Sequence, residues 1–112
     1  MDKKTALVVK VWVYFGYNYP DVEGMIDYIC KQNGEGEVFK KHLMGKWNSI
    51  YDDYGCHAVM NRFFAELSDT YRQALVDYAI KFYAPTAFHW TDEEKEVYKA
   101  LADYVKKRIE IN

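Results

Sequence analysis

The side chains with the widest chemical repertoire in this chain are two cysteines, Cys30 and Cys56, and three histidines, His42, His57 and His89. An imidazole beside a thiol can hold it as a nucleophilic thiolate, and Cys/His sets of suitable spacing can close a tetrahedral zinc site. Cys56 and His57 are adjacent, however, so on a helix their side chains diverge. The separations among Cys30, His42, Cys56 and His57 match no closed zinc pattern. Di-iron bundles place Glu three residues before His so that both ligands lie one helical turn apart, and none of the three histidines has that neighbour. Gly34-Glu35-Gly36 is a lone Gly-x-Gly after a helical segment, which reads as a turn and not a phosphate cradle. No metal, no cofactor and no catalytic residue is expected. The cysteines read as small core-filling thiols, and His42 and His57 as residues of helix surfaces or ends.

Paired acids are the other chemical candidate. Asp52 and Asp53 are sequence neighbours, whereas glycosidase-type chemistry needs two carboxyl groups facing one bond. Acids in the last turn of a helix oppose its dipole, so these two should meet a cation, meet solvent or cap the following helix.

Binding chemistry is better represented. Tyrosine occurs 11 times, and it joins a large apolar face to a polar tip at small entropic cost, which suits contact surfaces. Tyr28, Tyr51, Tyr71, Tyr78 and Tyr104 fall on inward-facing stripes, whereas Tyr14, Tyr17 and Tyr19 gather around the first turn. In Phe88-His89-Trp90, a hydrophobic residue just before the cap Thr91 would normally staple to the fourth helical position, but that position is Lys95. Trp90 must then pack elsewhere or remain available as an anchor. The candidate binding residues are therefore Tyr14, Tyr17, Tyr19, Asp52, Asp53, Tyr54, Phe88, His89 and Trp90.

The elements that position these residues follow from hydrophobic periodicity. Residues 6–15 are ambiguous: Leu7, Val9, Val11, Val13 and Phe15 alternate like a strand, while Leu7, Val8, Val11, Trp12 and Phe15 trace a helical stripe with Lys3, Lys4 and Lys10 opposite. Helix is preferred, because a lone strand without a partner is marginal. Gly16 is read as its stop, with Asn18 capping a second helix that carries Pro20 in its first turn and runs to about residue 32. A third helix over 37–54 buries Phe39, Leu43, Trp47, Ile50, Tyr51 and Tyr54, with Gly45 marking a close crossing or kink and Gly55 the stop. A fourth spans about 57–67 and a fifth about 69–83, closed by Pro85. Thr91-Asp92-Glu93-Glu94 forms a capping box for the last helix, whose basic end, Lys106-Lys107-Arg108, complements the dipole and is read as solvated.

The fold class is thus all-α: a single helical domain over 1–112, a compact bundle of five to six helices, with α+β built on an N-terminal strand at about 6–15 as the alternative. Half of the 112 residues are hydrophobic, enough to form one core. Fifteen basic against 17 acidic residues leave a net charge of -2, which disfavours nucleic acid as a partner. The run from Ala6 to Phe15 is interrupted by Lys10 and lacks a small-residue cleavage site, so it reads as part of the fold and not as a leader; no stretch suits a membrane span. Sparse, unpatterned cysteines fit the cytoplasm. These features point to a small non-catalytic protein-interaction module, a regulator or inhibitor such as a phage or mobile-element accessory protein, with a protein partner. The alternatives are a protein that binds or sequesters a nucleotide-like ligand in an aromatic pocket, and an enzyme with an unfamiliar site. A symmetric homodimer could also hide the surplus rings.

Overall fold

The computed structural model describes residues 3–19, 21–83 and 95–111. They form six helices: α1 (Lys3–Asn18), α2 (Val22–Gln32), α3 (Glu37–Tyr54), α4 (Val59–Glu66), α5 (Asp69–Tyr83) and α6 (Lys95–Ile111). There is no strand among the described residues, so the all-α reading holds and the α+β alternative falls. Within α1 the buried set is Thr5, Val8, Val11, Trp12 and Phe15, spaced by three or four or adjacent; Val13 of the alternating pattern is exposed, and so is Leu7, which both patterns place inward. The helical stripe prevails because it alone places Trp12 and Val8 on the same inward face as Phe15.

The helices meet in a closed circuit, α1 against α5, α5 against α2, α2 against α3, α3 against α4, α4 against α6 and α6 against α1, with α1 also touching α4. One continuous core fills the interior, centred on Trp12, Phe15, Met25, Ile26, Ile29, Met60, Phe63, Phe64, Leu75 and Leu101. Each large apolar side chain removed from water there contributes about 1.5–3 kcal/mol. A radius of gyration of 13.4 Å is that of a compact chain of this length. No helix among the described residues is long and apolar enough to cross a membrane.

Helix ends show where local rules succeed. After α2, Gly34 takes φ +68°, and the amides of Gly34 and Glu35 donate to the carbonyls of Lys31 and Cys30. That pair of bonds is a Schellman closure, and Gly34 is its left-handed residue. Gly55 ends α3 at φ +85°, donating its N–H to Tyr51. The last carbonyls of α4 are covered by Arg72, whose Nε and Nη2 donate to Phe64 and Ala65 at 2.9 and 2.6 Å.

Several expectations are corrected. Gly16 lies inside α1, 3.8 Å (through an added Cβ) from the Met60 side chain, and does not stop the helix. Asn18 is the last residue of α1, its Nδ2 donating to the Tyr14 carbonyl, and the cap position of α2 belongs to Asp21. Gly45 makes no close crossing: a Cβ there would meet nothing within 4 Å. Helix α4 is shorter at both ends than expected. The Thr91 capping box and Pro85 lie outside the described residues.

Candidate functional site

Four separate segments converge at one end of the bundle. The C-terminal turns of α1 and α3 supply Tyr17 and Tyr54, the turn before α4 supplies His57, α4 supplies Asn61 and Arg62, and the end of α6 supplies Arg108. Together they enclose a cleft of about 300 Å³, at the lower end of the size range of small-ligand sites. Of its described lining residues, Arg62 and Arg108 are cationic and none is acidic.

The geometry is held from below. Asn61 is fixed by Trp12, whose indole Nε1–H donates to Asn61 Oδ1 at 2.8 Å from a fully buried ring. Trp12 in turn packs against Phe64 at a ring separation of 4.7 Å. Arg62, the residue after Asn61 in the same helical turn, directs its guanidinium to 3.6 Å from the centre of the Tyr54 ring. That is a close cation–π stack. Tyr17 meets His57 at a ring separation of 5.0 Å and an interplanar angle of 45°. Trp12, Asn61, Tyr104 and Arg108 also line a smaller recess of about 80 Å³ that adjoins the cleft.

The three arginines of the chain are used differently. Arg72 caps α4 and pairs with Asp69 at 3.6 Å. Among the described residues, neither Arg62 nor Arg108 lies within ion-pair distance of a carboxylate, and both face this cleft. The acidic residues that do pair are spent elsewhere: Asp27 and Glu23 hold Lys31 and Lys40 across α2 and α3, and Glu66 meets Lys46.

The candidate residues read from the sequence fare unequally. Tyr17 and Tyr54 come together in the cleft, 58% and 53% exposed. Tyr14 is equally exposed on α1 but does not line the cleft. Tyr19 is half-buried, edge-on to Trp47 at 5.2 Å, and burial, with the nearby Cys56 and Tyr51, raises its pKa. It covers the end of the core. Asp53 lines a broad neighbouring groove with Lys41, His42, Lys46 and Tyr54, while Asp52 is exposed and does not line the cleft. Neither aspartate caps α4, whose cap position is Ala58. Phe88, His89 and Trp90 lie outside the described residues. Tyr51 and Tyr54, expected on the inner stripe of α3, are exposed; Cys30 is buried as expected, but Cys56 is exposed.

Arg62, Arg108, His57 and Asn61 went unread as site residues because they come from two segments, 57–62 and the end of α6, that are distant in sequence. The available signal was the choice of arginine, present three times among 15 basic residues. Among the described residues no group of His, Cys, Asp and Glu is arranged to hold a metal ion. No protein-family pattern, curated protein or solved structure matches the chain.

Proposed function

We propose that this protein is a non-catalytic interaction module, a regulator or inhibitor that engages a protein partner through the end of the bundle bearing Tyr17, Tyr54, Arg62 and Arg108. The single observation that carries this reading is the convergence in one cleft of two half-exposed tyrosines and two arginines that have no carboxylate partner among the described residues. Tyrosine and arginine are the side chains that most often dominate contact energy at protein interfaces. Exposed Tyr14 and Tyr51 extend the aromatic surface beyond the cleft. Both thiols are free, in keeping with work in the cytoplasm.

The test is comparative affinity capture. Wild type and a Tyr17→Ala/Tyr54→Ala variant are immobilised and exposed to native lysate, with far-ultraviolet circular dichroism confirming that the variant is folded. A protein retained by wild type and lost by the variant supports the reading. Identical retention by both proteins, or none by either, refutes it, and light scattering on the same samples shows whether a second copy of the chain is the partner. The second reading, a small nucleotide-like ligand, draws on the cleft volume of about 300 Å³. A thermal-shift screen against nucleotides addresses it, since a ligand preferred by the native state raises the melting temperature.

A further inference from the structure

We infer that the cleft is a carboxylate-recognition site, and that its occupant is an acidic protein segment whose Asp or Glu side chain seats between Arg62 and Arg108. The inference rests on the interaction-module reading above and names the chemistry of the partner.

Charge is the first argument. The protein as a whole carries -2, yet two permanent cations line this cleft and, among the described residues, no acid lines it with them. An arginine with no carboxylate partner, in a chain that has 17 acidic residues, leaves its fork of N–H donors for an incoming anion. The orientation of Arg62 supplies the second argument. One planar face of its guanidinium lies on Tyr54 at 3.6 Å, a contact that does not use the edge with its N–H donors. A guanidinium edge matches the two oxygens of a carboxylate in a bidentate pair, and the stacked ring restrains the side chain before binding.

The rings are partly committed already: one face of Tyr54 carries the Arg62 guanidinium, and Tyr17 lies tilted at 45° against His57.

Fluorescence anisotropy with a labelled glutamate–tyrosine copolymer at low ionic strength tests the site, with a lysine–tyrosine copolymer and AMP as the other arms. The expected result is binding of the acidic copolymer alone, weakened at least tenfold by Arg62→Gln and by Arg108→Gln, because a hydrogen-bonded charge is lost in each. Lys41→Gln, on the neighbouring groove, should leave binding unchanged. In a parallel NMR titration the Trp12 indole N–H signal should shift, since its acceptor Asn61 lines the cleft. Acidic copolymer binding that survives both arginine substitutions overturns the cleft as the site. Failure of that copolymer to bind, or preference for AMP, overturns the carboxylate assignment. The interaction-module reading is judged separately: a lysate protein lost on Tyr17→Ala/Tyr54→Ala substitution keeps that reading standing even where the acidic copolymer fails.

Discussion

Asn61 joins the core to the cleft, and replacing it measures the strength of that link. Its Oδ1 accepts the Trp12 indole proton at 2.8 Å, and the Trp12 ring is only 1% exposed. Burying an N–H without an acceptor costs about 1–3 kcal/mol, provided water cannot take the acceptor's place. Here it can: the recess of about 80 Å³ lined by both residues exceeds the roughly 30 Å³ share of one water molecule. Asn61→Ala therefore admits a bridging water and should lower stability by only about 1 kcal/mol. Asn61→Leu fills the gap with a branched apolar group, excludes the water and strands the N–H, at a cost of about 2–3 kcal/mol. In a domain of this size each kcal/mol lowers Tm by about 4–6 °C.

Urea unfolding followed by circular dichroism gives the free energies, and a double-mutant cycle isolates the bond. Trp12→Phe removes the donor, so Asn61→Leu in that background should cost about 1–2 kcal/mol less than in wild type. The cycle cancels whatever the leucine gains by packing. Equal costs for the alanine and leucine variants, or a leucine penalty undiminished in the Trp12→Phe background, would refute the reasoning.

The ion-pair cluster on α2 predicts a pH dependence. The hydrogen bond from Lys31, with the nearby Lys40, holds the Asp27 pKa below its usual 3.8, so its contribution is present above that value and is lost as pH falls through the lowered one; urea titrations should show Asp27→Asn abolishing that part of the acid destabilisation. A thiol reagent should label one cysteine per native chain, exposed Cys56, while Cys30, buried and with its pKa raised first by burial and then by Asp27, reacts only on unfolding; labelling of both at one rate would contradict this placement. Two glycines should respond with opposite signs in thermal melts: Gly55→Ala destabilises by about 1–3 kcal/mol because φ +85° with ψ 176° suits glycine alone, whereas Gly45→Ala stabilises by about 0.5–1 kcal/mol on an open helix face.

Much of the fold was legible because period and punctuation agree. Val59, Met60, Phe63, Phe64 and Leu67 lie on the buried side of the α4 region as their spacing requires, and α5 runs over the expected residues 69–83. The Gly34 turn is dictated locally, by a residue that can take positive φ. Errors arise where the outcome depends on a neighbour. The spacing of Tyr51 and Tyr54 shows which side of α3 they share with Trp47 and Ile50, but not whether a facing helix extends far enough to cover the last turn. They are left exposed. Asn18 and Asp21 are both good cap residues, and sequence alone offers little to choose between them. In the folded chain Asn18 bonds back to Tyr14 at the end of α1, and Tyr19 packs on Trp47 before α2 begins.

The site was less legible for a related reason: global charge and local charge answer different questions. A net charge of -2 argues against an extended polyanion, whose binding sums many cation–phosphate contacts. It says little about a single oxyanion, because exposed charges farther than about 8 Å away are largely screened at physiological ionic strength. What matters at that range is which acids the fold has committed elsewhere. Asp27 and Glu23 serve the lysines of α2 and α3, Glu66 serves Lys46 and Asp69 serves Arg72. Arg62 and Arg108 face a cleft that no acid lines among the described residues, and a small acidic protein can in this way present a cationic contact.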